Sequence, residues 1–233
     1  MLRFPGFHIP GILFGTKWNE RDGSFCSRMK AKLKNGTKGT VPFVPGEASG
    51  VKLSVKEMTC VAISVALITI CSWISVPMTI PVTLQTFAIC LVTALLGLKL
   101  GLWALLSYIL LGAVGIPVFS GFRGGFGVLL GVTGGYIVGF VFTVLTVGLA
   151  VKRFGRSMPV LVLSMATGIL LCYAFGTAWF MVVYTRGGNA VTLGGALGIC
   201  VVPYLIPDGI KIVLAAALVR RLWPAVSKEL IPA

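Results

Sequence analysis

From position 58 onward, apolar residues come in blocks long enough to cross a bilayer, separated by short clusters of glycine, proline and basic residues. The blocks predict six spans, at 58–76, 84–96, 102–114, 134–151, 160–184 and 203–222. The last of them, at ~1.5 Å per residue, matches the hydrocarbon thickness. A β-barrel would read instead as short alternating segments, which do not occur here. The pattern is that of an all-α polytopic membrane protein with six transmembrane helices.

The breaks between blocks differ in kind. PMTIPVTLQTF (77–87) carries two prolines four residues apart, which disfavour helix and push their predecessors towards extended backbone. It predicts an apolar loop suited to act as a lid. GLKLG (97–101) predicts a turn that reverses the chain. The stretch 121–135 holds seven glycines and predicts no ordinary helix. VTLGGALGICVV (191–202) is too short and glycine-rich for a span and reads as interfacial or re-entrant. Pro207 suits the first turn of the sixth helix, and Pro203 takes that role if the helix begins earlier.

Residues 1–50 break the pattern altogether, being polar, basic and Gly/Pro-punctuated, with no apolar stretch long enough for a secretory signal. They read as a disordered extension or one arising from an upstream start codon. Residues 51–224 form the membrane domain, and 225–233 a short cytoplasmic tail.

Composition agrees: 57% of the 233 residues are hydrophobic and 11% charged, with a mean hydropathy of +0.98. Half of the +14 net charge comes from residues 1–56 and the rest lies mostly between spans, which argues for charge asymmetry across a membrane rather than nucleic acid. Six spans bring Lys99, the 152–156 cluster, Arg220, Arg221 and Lys228 to the side of the N-terminal basics. The other side keeps only Arg123 and Arg186. By the positive-inside rule both termini are cytoplasmic, in a multi-pass protein of the cell membrane surrounded by lipid. The proline loop, Arg123 and the start of the sixth span then converge on the outer face.

Chemistry concentrates there. Asp208 is the only acid between Met58 and Lys228, and Lys211 lies one helical turn away. Ionisable residues within spans are expensive and tend to mark substrate paths. Arg123 adds a planar, paired donor for a carboxylate, next to Gly124, whose small size leaves room for a ligand. Gln85 is the one strong amide of the proline loop, and Tyr108 needs a hydrogen-bond partner if buried. Two cations, one carboxylate and apolar walls suit a small, mostly apolar anion. The six cysteines show no CxxC or metal spacing, and the only histidine is His8, so neither a metal site nor a His-based triad is expected. Without paired carboxylates or G-x-S-x-G in the membrane, an enzyme is not expected either.

PVTLQTF, LSYILLGAVGIPVFSGFRGGFGVLLGVTGGYIVGF and VPYLIPDGIK resemble the BioY family, the biotin-specific S components of energy-coupling-factor (ECF) transporters. The resemblance covers about residues 53–222 and departs from the expected pattern at Val132, where proline is expected in GVTGGY. It implies the six-helix S-component fold, high-affinity capture of biotin from outside, no bound cofactor, and partnership with a transmembrane coupling protein and two ATPases. S components as a class dock through small residues on the first helix, matched here by Ala62 and Ala66, and are thought to topple in the membrane during transport. The chain has no G-x-x-x-x-G-K-[ST] sequence for ATP. Under this reading Asp208 and Lys211 line the site. Lys211 and Arg123 are alternative cations for the biotin carboxylate, and Asp208 and Gln85 alternative acceptors for its ureido N–H groups. Gln85, Tyr136 and glycine-turn N–H groups are alternative donors to the ureido carbonyl, while Phe122, Tyr108 and Trp73 supply walls. Alternatives are an S component for thiamine or riboflavin, and a solitary biotin carrier working without the module.

Overall fold

The computed structural model describes residues 54–188 and 192–230. The expectations for residues 1–50 lie outside the described residues. Among the described residues are seven helices and one two-stranded ribbon.

Helix α1, Val55–Trp73, starts where the Glu57 carboxylate accepts from the Ser54 N–H at 2.8 Å, satisfying one of the free donors of a helix N-terminus. The other carboxylate oxygen meets Lys99 Nζ at 3.3 Å. The chain leaves α1 as strand β1, Ser75–Val76, and returns antiparallel as β2, Val82–Thr83, with Ser75 opposite Thr83. The proline segment is thus the loop of a small hairpin, whose Ile80 is buried.

Helix α2, Gln85–Val114, is two helices joined at Gly97, whose φ of 82° and ψ of −179° only glycine adopts readily. Drawn straight, it would hold Gln85 and Tyr108 roughly 34 Å apart. Instead the Gln85 Nε2 donates to the Tyr108 hydroxyl at 3.1 Å, and Gly101 packs on Thr93. The chain therefore folds back at Gly97, and the two arms stand where the second and third spans are expected; counted by length and hydropathy, the described residues hold five helices able to cross a membrane, with these two arms taken as one. The reversal is tighter than expected: it takes one glycine, with helix resuming before Lys99 rather than at 102. The first arm, 85–96, is only ~18 Å long. With its Gly97 end at the charged surface, its Gln85 end stops short of the far side of a ~30 Å core.

The glycine-rich stretch forms a loop and one short helix, α3, Phe126–Leu130. Val132 sits in a turn closed by a hydrogen bond from the Gly134 N–H to the Gly131 carbonyl at 3.1 Å, so the absent proline leaves it intact. Helices α4, Gly134–Phe154, and α5, Met158–Arg186, form an antiparallel pair in close approach. A Cβ at Gly135 would lie 2.2 Å from Trp179 Cβ, and one at Gly176 would lie 2.4 Å from the Tyr136 ring. Between helices in lipid, where apolar burial gives no net drive, such small-residue contacts supply the dispersion that holds them. Helix α6, Leu193–Cys200, leads into α7, Val202–Leu230. The segment expected to be interfacial is thus a short helix with Ala196 and Cys200 buried. Helix α7 begins at Val202, so Pro203 takes the first turn, while Pro207 is interior and removes a ladder hydrogen bond one residue before Asp208. It also runs past the expected end at 222 and through most of the expected tail.

The two ends of the bundle differ sharply. At one end Glu57 meets Lys99, and Arg156, from the turn between α4 and α5, donates to the Ala94 and Leu95 carbonyls at 2.8 and 3.3 Å. Those carbonyls belong to the last turn before Gly97, so the guanidinium caps a helix C-terminus. Its face lies 3.3 Å from the Trp223 ring centroid, tying in α7. The opposite end gathers the ribbon, the glycine-rich loop and the start of α7.

Candidate functional site

Asp208 and Lys211 lie one turn apart on α7 and are buried, at 4% and 7% exposure. Lys211 Nζ stands 2.6 Å from Asp208 Oδ1 and donates to the Thr83 carbonyl at 2.6 Å and the Thr86 hydroxyl at 3.5 Å. Thr86 Oγ1 donates to the same Asp208 oxygen at 3.2 Å, and the Tyr173 hydroxyl donates to the other. The pair is therefore charge-compensated and nearly saturated, the condition under which a buried ion pair is tolerated. It binds α7 to β2, to α2 and to α5 at one point.

Two adjoining cavities, each of about 60 Å³, open beside this pair. That is enough for several waters apiece. Ile80, Pro81, Thr83, Tyr136 and Phe140 line both, so they are two lobes divided by the proline loop and Tyr136. Asp208, Lys211, Thr86, Tyr173, Cys172 and Cys200 line one lobe. Arg123, Gln85, Ser120 and Phe119 line the other. Both walls are mainly apolar, with polar groups at the two ends.

Of the residues expected at a site, Asp208, Lys211, Arg123, Gln85 and Tyr136 face the two lobes. Arg123 Nε donates to the Ser120 carbonyl at 3.3 Å. Among the described residues the ion pairs are Lys99–Glu57 and Lys211–Asp208, so Arg123 has no carboxylate partner there. Gln85 spends its amide N–H on Tyr108. The Tyr136 hydroxyl is hydrogen-bonded with Thr177 at 3.0 Å.

Tyr108, Phe122 and Gly124 do not line either lobe. Tyr108 is fully buried behind them, where its hydroxyl donates to the Val118 carbonyl at 3.0 Å. Phe122 is 65% exposed and lies on Trp73, ring centroids 4.8 Å apart. Gly124 is small for a structural reason: a Cβ there would sit 2.5 Å from the Ile116 carbonyl oxygen. The sequence reading missed Tyr173, Thr86, Phe140, Cys172 and Tyr204, which face the Asp208 lobe. One signal was available for Tyr173, a phenol in the middle of an apolar span, which needs a partner when buried. Ala62 and Ala66 are exposed on α1 beside Ile63 and Ile70, while Ser64 between them turns inward. The described residues include no group of three His, Cys, Asp or Glu able to hold a metal ion.

Residues 47–228 match the model of the BioY family. A probable biotin transporter BioY from Pyrococcus horikoshii is 38% identical over 171 residues, 73% of this chain and 98% of that protein. The biotin transporter BioY of Thermotoga maritima is 36% identical over 72% of this chain and 95% of its own length. The crystal structure of the S component for biotin from an ECF-type ABC transporter superposes with a TM-score of 0.65 at 28% identity, covering 72% of this chain and 90% of that one. The family match spans the residues that line both lobes, and on it and these relatives the chain belongs to the BioY family.

Proposed function

We propose that this chain is the substrate-binding S component of a biotin transporter and holds one biotin across the two lobes. The observation that carries the reading is the division of charge between them. At one end stands a carboxylate already compensated by Lys211; at the other stands a cation, Arg123, with no acid beside it among the described residues. Biotin has the complementary layout. Its ureido ring offers two N–H donors and a carbonyl, its body is apolar, and its valerate ends in a carboxylate. One ureido N–H goes to the remaining acceptor position of Asp208, whose negative charge strengthens the bond, while Lys211 is held by Asp208 and Thr83. The carboxylate goes to Arg123, whose terminal nitrogens remain available for a paired contact. The ring system lies between Tyr136, Phe140 and Ile80. Because Ile80, Pro81 and Thr83 border both lobes, the proline loop has to shift for biotin to enter, and it acts as the lid.

The end bearing Lys99, Lys152, Arg153 and Arg156 is cytoplasmic by the positive-inside rule, which turns the lobes outward. The exposed Ala62–Ala66 face of α1 docks on a transmembrane coupling protein of an ECF module in the cell membrane, and two ATPases supply the energy. This subunit itself carries no catalysis and no cofactor.

The test is direct titration of the purified full chain with biotin, thiamine and riboflavin. Biotin should bind most tightly, and Asp208→Asn should weaken it by roughly 1.5–3 kcal/mol, the value of a charge-assisted hydrogen bond. Preference for either other vitamin, or an unchanged biotin affinity in Asp208→Asn, would overturn the proposal. Uptake of labelled biotin with and without the module reads the coupling.

A further inference from the structure

The loop that carries Arg123 is fixed at its base by backbone and buried contacts and at its tip by an exposed aromatic pair. At the base, the Phe119 N–H donates to the Arg123 carbonyl at 2.9 Å, and the two residues form an antiparallel bridge. Phe119 is buried against the Tyr108 ring, and the Val118 carbonyl accepts from both Tyr108 and Ser72. At the tip, Gly121 has φ 71° and Phe122 φ 56°, successive positive values as in the tightest hairpin turns. Phe122 is the one non-glycine with positive φ among the described residues. An aromatic residue keeps that conformation only where something else holds it. Burial does not, since Phe122 is largely exposed. What holds it is Trp73: the two rings are tilted by 31° with centroids 4.8 Å apart, and the indole is itself anchored by a 2.9 Å hydrogen bond from Nε1 to the Pro117 carbonyl.

We infer that the Trp73–Phe122 stack sets the direction of Arg123, making both aromatics positioning residues for recognition of the ligand's carboxylate. The inference rests on the reading that Arg123 takes that carboxylate. The peptide plane that leaves Phe122 also carries the N–H of Arg123, so a turn held at φ 56° fixes where the guanidinium begins. Among the described residues the guanidinium itself makes one hydrogen bond, the short-range one to Ser120. Freed from Trp73, the tip would relax to ordinary backbone angles and Arg123 would swing to solvent. The link also runs to α1, because Ser72 and Trp73 are its last two residues.

The experiment compares two ligands on the purified full chain, biotin and biotinamide, in which a neutral carboxamide replaces the carboxylate. Their affinity ratio reads the Arg123 contact alone, and the biotinamide affinity reports that the site is folded. The parent chain should prefer biotin by about tenfold or more, the effect of one charge-assisted contact. Arg123→Ala should abolish the preference. Trp73→Ala and Phe122→Gly should each reduce it to about threefold or less, with biotinamide affinity unchanged, while Trp73→Phe, which keeps a stacking ring, should restore it. Glycine adopts positive φ freely, so loss in Phe122→Gly belongs to the missing stack and not to strain. If Trp73→Ala and Phe122→Gly keep the full preference while Arg123→Ala loses it, the positioning role is wrong and the Arg123 reading stands. If Arg123→Ala keeps the preference, both are wrong. A parallel fall in both affinities in Trp73→Ala would mean general damage and would also overturn the inference.

Discussion

The Asp208–Lys211 pair lets stability and binding be separated by one mutant cycle. In Asp208→Asn the carbonyl oxygen can still accept from Tyr173, but Lys211 is left as a buried ammonium facing the Thr83 carbonyl and the Thr86 hydroxyl. Breaking one partner of a buried pair costs roughly 3–5 kcal/mol. At about 2–4 °C per kcal/mol for a chain of this size, the midpoint should fall by roughly 6–20 °C. Lys211→Met should cost a similar amount by stranding the carboxylate, whose remaining protein donors are Thr86 and Tyr173. The double variant carries no buried charge and should recover most of the loss, because neutral replacement of a buried pair is close to neutral in stability. It should not recover biotin binding. The assay is thermal unfolding of detergent-purified protein, with biotin titration on the same samples. Single losses that simply add in the double variant would show that the two charges do not act as a unit. Recovery of biotin affinity along with stability would remove Asp208 from ligand recognition.

Other outcomes follow from single positions. Gly97→Ala should destabilise by about 1–3 kcal/mol in thermal unfolding, entirely through backbone conformation, since an added Cβ meets nothing within 4 Å. Arg156→Ala removes two hydrogen bonds and a cation–π contact at the charged end, and should cost about 2–4 kcal/mol while leaving biotin affinity unchanged. Gly135→Leu should abolish accumulation of folded protein, because even its Cβ would overlap Trp179, and chromatographic monodispersity would read the loss.

Much of this architecture was legible in one dimension. Runs of apolar residues too long for any core predicted the spans, because the bilayer sets a length that composition reports directly. A carboxylate and an ammonium one turn apart in such a run marked Asp208 and Lys211 as a place where charge had to be compensated. Glycine and proline marked the reversals, since few residues adopt the required angles, although only the structure reduced the 97–101 turn to Gly97 alone.

What sequence spacing could not supply was which distant groups meet. Tyr173 lies 35 residues from Asp208 and Thr83 lies 128 residues from Lys211, and nothing local to either partner encodes the other. Phe122 shows the limit most clearly. Its place beside Arg123 made it look like a cavity wall, yet a positive φ turns its ring out onto Trp73. The sequence by itself determined the membrane class, the succession of apolar helices and the presence of a compensated charge, because length, hydropathy and solvation cost are properties of segments. Tertiary packing alone decided the two lobes, the Tyr173 and Thr86 contacts and the separation of Arg123 from the acids among the described residues, because these depend on where helices far apart in the chain come to rest.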